Sequence, residues 1–367
     1  MVETLETGDY CAIAAYFLLV LAVGIWSTFR PNRHSATGYF LAGKNMHWFP
    51  VGTSIFASNV GAHTFIGMAG TGAATGFGVA IYSWHAIFIL IALGWVFLPV
   101  YVSSGTFTMP EYVKKRYGGR RLRIYLSVLA LILYAFTKVS AEIYAGSVVM
   151  QVLMGWNTYL SVALILTVTA FYTVIGGLAA VLYTDALQAV ILVTGAFILM
   201  GLSLVEVGGW SGMVDKYPMA AANYTLANPE NYSCGMPRDD YMHIWRDPVT
   251  GDIPWTGAVF GLTTLGIWSW CNDQIAVQRC LSAKNMSHAK AGCVLGGSLM
   301  LLTVFLFVVP GMISRIFYPD EIACADPSKC EDVCDNAAGC SNIAYTVLVL
   351  RLMPTGKAQA RQKTQLT

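Results

Sequence analysis

Hydrophobic and polar positions alternate along this chain in long blocks, not on the faces of single helices. Crossing the hydrocarbon core of a bilayer takes about 20 mostly apolar residues. Runs of about that size or longer occur at 11–29, 49–69, 77–102, 124–154, 158–175, 178–205, 255–271 and 291–313. A ninth run, 343–353, is too short to cross, and 354–367 is polar. The pattern predicts an all-α polytopic membrane protein with about eight complete transmembrane helices and a short ninth segment. The longer runs are expected to tilt or to project beyond the bilayer.

Composition supports lipid as the solvent. Hydrophobic residues make up 56% of the 367 positions and charged residues 11%, against about 25% charged in ordinary soluble domains. The formal net charge of +2 argues neither way about nucleic acid, and no nucleic-acid partner is predicted. No basic residue precedes the first apolar run, so that run is read as a retained helix and not as a cleaved signal.

Where the charges lie matters more than their sum. Eight crossings place alternate loops on opposite sides. One set of loops holds twelve Lys and Arg, running from Arg30 and Arg33 through Lys44 and the 114–123 cluster to Arg279, Lys284 and Lys290. The other set holds five: Lys216, Arg238, Arg246, Arg315 and Lys329. The positive-inside rule puts the first set in the cytoplasm, which predicts a plasma-membrane protein with residues 1–10 outside. Sequons at Asn223 and Asn231 fall in exterior loop 206–254, where they can be glycosylated. Asn285 begins a third sequon on the inner side. Cys324, Cys330, Cys334 and Cys340 crowd exterior loop 314–342, where disulfides persist, and Cys234 is a further candidate. Cys11, Cys271, Cys280 and Cys293 are read as packing residues. No zinc-ligand spacing, P-loop, paired aqueous carboxylates or nucleophile triad is found, so no enzyme is expected.

Chemistry concentrates in a few spans. Segment 49–69 carries Ser54, Ser58, Asn59, His63 and Thr64 together with Gly52, Gly61 and Gly67. Backbone that leaves helical geometry at membrane depth is tolerated where it is buried in protein or lines a wet cavity. Transporters use such breaks to aim carbonyls at cations and side chains at solutes. A binding helix is therefore favoured over simple close packing by small residues. Lys138 and Glu142, four apart, are read first as a mutually neutralising pair. His85, beside Trp84, is read as a packing residue. Asp185 is a lone intramembrane carboxylate and so a functional candidate. Trp268-Ser269-Trp270 is either an interfacial belt or a stacking platform for a sugar, and Asp273 is expected to pair with Arg279.

Several strings carry a resemblance: GYFLAGKNM (38–46), TVIGGLAAVLYTDALQ (173–188), RDPVTGDIPW (246–255), DQIAVQRCLSAKNMSH (273–288), PGMISRI (310–316) and GCSNIAY (339–345). In these the chain resembles the sodium/glucose cotransporter branch of the sodium/solute symporters, almost from its start to about Met353. The resemblance implies a partial LeuT-type inverted-repeat fold. Its parts would be an extra helix at 11–29, a first five-helix repeat within 30–205, and an incomplete second repeat within 255–353. The first helix of each repeat, 49–69 and 255–271, would be discontinuous. The resemblance further implies sodium bound by the backbone carbonyls of Ala57 and Val60, with Asp185 on the ion's inner path. It makes Asn59 a solute-contacting residue and Trp270 the platform under a sugar ring.

The departures from that family bear on the solute. Thr64 occupies the position of a sugar-binding histidine, and His63 is displaced by one residue, about 100° around a helix. Ser83 replaces a glutamate, Ser269 a tyrosine and Met300 a lysine. A site that recognises hydroxyls by hydrogen bonds changes selectivity by orders of magnitude when those groups change, so glucose gives way to a different polyol or a less polar solute. The family continues beyond the ninth run, where GKAQARQKTQLT stands here. A cation held by two carbonyls lacks most of its oxygen ligands, so this chain is expected not to perform coupled transport alone. The partner of Cys234 is expected in the same absent part. The partners implied are the lipid bilayer, sodium, a small solute, and a full-length paralogue or accessory membrane subunit. The alternative reading is a non-transporting solute sensor or an interfering isoform.

Overall fold

The computed structural model describes residues 7–28 and 35–353; Arg30, Arg33 and segment 354–367 lie outside the described residues. The described residues are almost wholly helical, with two isolated bridges and no strand. We label the helices used below in chain order: α1 (Thr7–Thr28), α2 (Trp48–Ala57), α3 (Ala62–Thr75), α4 (Phe77–Ser104), α5 (120–154), α6 (Thr158–Val207), α7 (257–272), α8 (Gln274–Leu281), α9 (Met286–Phe317) and α10 (Ala344–Leu352).

Among the described residues, five helices are long and apolar enough to cross a membrane: Gly8–Ser27, Phe77–Ser104, Arg120–Gln151, Gly176–Val207 and Met286–Phe317. The remaining predicted crossings are divided or shorter. Segment 49–69 is split between α2 and α3, as its polar and glycine content predicts. The two crossings expected at 158–175 and 178–205 form one helical run that changes direction at Gly177. There φ is +63°, a conformation that only glycine adopts without strain. A Cβ at that position would also press against Tyr39.

Helix α9 is the central post, with 61% of its most apolar window buried, whereas none of the corresponding window of α5 is buried. Helix α9 packs most closely on α2, where Gly52 and Gly292 bring the two backbones together. A Cβ on Gly52 would stand 2.8 Å from the Gly292 carbonyl. Small residues of this kind allow dispersion contacts where lipid supplies no hydrophobic drive between helices. Helix α1 lies on the flank of α6.

Loop contacts gather in two groups. In one, Met46 and Ser282–Lys284 exchange backbone hydrogen bonds, and Gln274 reaches Phe107 and Met109. In the other, Arg246 and Arg315 close the exterior candidate loops. Arg246 is buried; it donates to the Thr75 carbonyl at 2.6 Å and pairs with Asp252. Arg315, equally buried, donates to the carbonyls of Ala73, Ala74, Ala220 and Gly235 at 2.6–3.1 Å. Hydrogen bonds from a charged donor contribute about 1.5–3 kcal/mol each, so these two arginines fix the loops to the end of α3. In the same layer the Arg238 guanidinium holds the Asp240 carboxyl below the usual carboxylate range. Partial burial pushes Asp252 up, and its contacts with Arg246 outweigh that, leaving it below the range as well. Burial pushes the Tyr217 hydroxyl up to about 12.

Candidate functional site

Helix α2 ends at Ala57 and α3 starts at Ala62, with Gly61 extended at ψ −173° between them. The turn is only partly satisfied from within. The Phe56 carbonyl accepts from the amides of Asn59 and Val60, and the Asn59 carbonyl accepts from the Thr64 hydroxyl at 2.8 Å. Among the described hydrogen bonds, the carbonyls of Ala57 and Val60 accept none. A helix end with free carbonyls carries partial negative charge, which suits a cation. The Asn59 side-chain amide donates to the Ile55 carbonyl at 3.0 Å and to Ser58 Oγ.

The charges of α5 do not pair as expected. Lys138 and Glu142 were to neutralise each other, but Lys138 reaches Asp273 and Glu142 reaches His63. Each side chain takes a partner across the bundle instead: the Asp273 carboxylate, 1% exposed, requires a cation beside it, and His63 meets the Glu142 carboxylate. His63 Nδ1 stands 2.5 Å from Glu142 Oε1, with both side chains partly exposed at 50% and 36%. His63 Nε2 lies 3.2 Å from the Thr64 hydroxyl. Gly61 makes room for this pair, since a Cβ there would meet the Glu142 carboxylate at 2.2 Å.

The discontinuity expected within 255–271 is not formed; the chain turns just after it. Helix α7 runs unbroken through 257–272, with π turns at Gly257–Gly261 and Ile267–Asn272, and stops at Asp273, whose ψ is +131°. Asp273 caps α8 through the Ile275 amide at 3.0 Å. It is the carboxylate, 1% exposed, that receives Lys138 and the Tyr134 hydroxyl. The expected pairing of Asp273 with Arg279 is therefore not formed. Arg279 turns to Asp185, Nη2 to Oδ2 at 3.1 Å, and Ser54 Oγ bridges the two at 2.7 and 2.5 Å. Asp185 is thus not a lone charge: an arginine 94 residues away neutralises it and joins α2, α6 and α8.

The other sequence-predicted residues lie as follows. Ser83 is buried, accepts from Thr303 Oγ1 at 2.8 Å and contacts the Met68 sulfur. Met300 and Trp270 are buried in the core, and Ser269 donates to the Gly266 carbonyl at 3.4 Å. The half-exposed indole is that of Trp268, which lies under the Lys138 ammonium at 5.7 Å. His85 packs on Gly266 with its Nε2 buried and unpartnered. Sequence reasoning missed Thr303 and marked Ser54 without its partners, because both roles depend on residues more than 130 positions away.

Outside the bundle, Cys324 stands against Cys330 and Cys334 against Cys340, with Cα–Cα separations of 5.6 and 5.7 Å, which fit disulfide geometry. Cys234 is exposed. Asn223 is held by Asp320, and Thr225 of its sequon is buried, while Asn231 and Ser233 are exposed.

The profile of the sodium:solute symporter family matches residues 39–359. Zebrafish (Danio rerio) sodium/glucose cotransporter 4 is 56% identical over 353 residues, covering 96% of this chain and 53% of the relative. Bovine (Bos taurus) sodium/myo-inositol cotransporter 2 is 53% identical over 354 residues, covering 96% and 52%. The chain thus spans about half the length of the curated relatives it matches. Among solved structures, a substrate-bound, outward-open Na+-coupled sialic acid symporter superposes with a TM-score of 0.71 at 20% identity, over 94% of this chain and 72% of that one. That superposition shows the fold, which is the LeuT type.

Proposed function

Because the chain belongs to the sodium:solute symporter family, we propose that it forms part of a multi-pass symporter that couples sodium entry to uptake of a sugar or polyol. The observation that carries this reading is the α2–α3 break, where the unpartnered carbonyls of Ala57 and Val60 stand beside Asn59, His63 and Thr64. The two carbonyls are the sodium ligands proposed on this chain. Asp185 lies on the ion's inner path, and Arg279 must release it when a cation takes its place. Asn59 and Trp270 are the solute contacts. Trp270 must become accessible in the solute-bound state, since it is buried here.

Thr64, Ser83, Ser269 and Met300 alter the hydroxyl-recognising set, which favours a polyol over glucose. The bovine relative is named for myo-inositol and the zebrafish relative for glucose, so the choice rests on these four positions. Binding of ion and solute to one closed conformation makes each strengthen the other by the same factor. Residues 11–29 precede the repeats, 30–205 form the first repeat and 255–353 belong to the second. Residues 1–10, 206–254 and 314–342 face outward, the last carrying the disulfides Cys324–Cys330 and Cys334–Cys340. Of the two outer sequons, Asn231 is the better acceptor, because Asn223 is engaged with Asp320.

The test is binding of radiolabelled myo-inositol and glucose to the purified chain with sodium or choline, followed by uptake in proteoliposomes. Sodium-dependent binding that is lost in Asn59→Ala is expected, with myo-inositol preferred. Binding indifferent to sodium overturns the coupling. Accumulation by this chain alone is not expected, as only two cation ligands are proposed on it; a second membrane subunit or a longer paralogue would supply the rest. Measured accumulation would overturn that part alone.

A further inference from the structure

At the end of the bundle where Met46 and Lys284 pair, the fold leaves a cavity of about 130 Å³ whose lining includes the exposed residues Lys44 and Lys284. Thr106, Asn285, Tyr101 and Ala289 complete the part of its wall used here. The two lysines lie 240 positions apart, and their segments are held together by reciprocal backbone bonds: Met46 N to the Ser282 carbonyl at 3.1 Å and Lys284 N to the Met46 carbonyl at 2.9 Å. Lys44 is one of three non-glycine residues at positive φ among the described residues, at +52°. A left-handed lysine costs free energy and persists where surrounding contacts over-determine it. The fold thus fixes the backbone of both lysines at one cavity.

Neither ammonium has an ion-pair or hydrogen-bond partner among the described residues. No carboxylate lines the cavity. The nearby Glu111 is engaged with the Phe107 amide, and Tyr101 donates to the Cys271 carbonyl. Asn285 spends its side-chain oxygen on the His288 amide at 2.9 Å, which leaves its NH2 free as a donor. The buried Thr106 hydroxyl, shared with Ser104 at 2.9 Å, adds a polar wall. The lining therefore presents two cations and an amide donor, with no competing anion.

A phosphate monoester matches this set: it carries about −1.5 to −2 charges with three acceptor oxygens, and lysine binds it as a point charge. Basic pockets between transmembrane helices on the cytoplasmic side are a known setting for phosphoinositide headgroups. We propose that this cavity binds a phosphate monoester, borne either by a phosphoinositide headgroup or by a soluble phosphate compound. The cytoplasmic placement rests on the topology proposed above; recognition of the phosphate does not.

The experiment measures binding of three probes to the purified full chain in detergent: dioctanoyl phosphatidylinositol 4,5-bisphosphate, inositol 1,4,5-trisphosphate and inorganic phosphate. The Lys44→Gln/Lys284→Gln double variant removes two exposed charges, and Arg121→Gln/Arg123→Gln removes two others outside the cavity as a control. At about fivefold per lysine, the first variant is expected to bind about 30-fold more weakly, and the control to stay within about threefold of wild type. Tight binding of the lipid alone assigns the headgroup; binding of the trisphosphate at similar affinity assigns a soluble source. Equal losses in both variants, no loss in either, or no binding of any probe overturns the proposal.

Discussion

The two helix breaks of this molecule are built from opposite materials. Between α2 and α3 the chain opens at Gly61 and leaves the carbonyls of Ala57 and Val60 without partners, next to a half-exposed His63–Glu142 pair. At Asp273 the chain also turns, but every charge is answered on the spot: the buried carboxylate caps α8 and receives both Lys138 and Tyr134. The first break leaves two carbonyls that no described hydrogen bond uses, while the second spends its acceptors on the fold. A single helix, α5, supplies the counter-charge to both, through two residues one π-distorted turn apart. A difference in side-chain polarity alone does not explain the contrast. Burial does, since a charge with 1% exposure must be paired and one with 36% can be solvated.

The contrast is most exposed to test at Lys138. Lys138→Met strands the buried Asp273, and we expect a loss of about 3 kcal/mol, read as a fall in the thermal unfolding midpoint of the purified chain. An unchanged midpoint would mean that Tyr134 and the α8 cap suffice.

Gly61→Ala comes next, at about 1 kcal/mol, because the new methyl meets the Glu142 carboxylate, the end of a flexible and 36% exposed side chain. The Gly61→Ala/Glu142→Ala double variant is expected to be more stable than the sum of the single changes allows. Strict additivity would show that the carboxylate moves aside freely.

Glu142→Gln should alter stability by less than about 1 kcal/mol, given the partial exposure of its pair, yet change the sodium dependence of solute binding. If it destabilises as much as Lys138→Met, the distinction between an open and a filled break fails.

The smallest effect belongs to the outer loops, which offer a titratable reference outside both breaks. Asp240 and Asp252 sit below their ordinary range beside Arg238 and Arg246. Their contribution is fully present above the unfolded value of about 3.9. It is lost as pH falls through the lower folded values. Protease cleavage within 206–254 should therefore accelerate only below about pH 4; acceleration nearer neutrality would assign the control to another group.

Much of this was legible in the sequence, for a simple reason. The partition of residues between lipid and water is a one-dimensional property, so 77–102, 178–205 and 291–313 could be marked as helices from composition alone. The interruption of 49–69 was legible too, because Gly61 and the Ser58-Asn59 pair are poor material for a lipid-facing helix. The expected Lys138–Glu142 pair failed because Asp273, 135 residues from Lys138, is buried and takes the ammonium. The expected Asp273–Arg279 pair failed because Asp185, 94 residues before Arg279, competes for the same guanidinium.

The sequence by itself determined the solvent, the helical class and the place of the first break, since each follows from local polarity and backbone preference. Tertiary structure alone decided which charge answers which: Arg279 to Asp185 through Ser54, Lys138 to Asp273, Glu142 to His63, and two unpaired lysines lining one cavity. Electrostatic energy depends on distance in space and on burial, and neither can be counted along a chain.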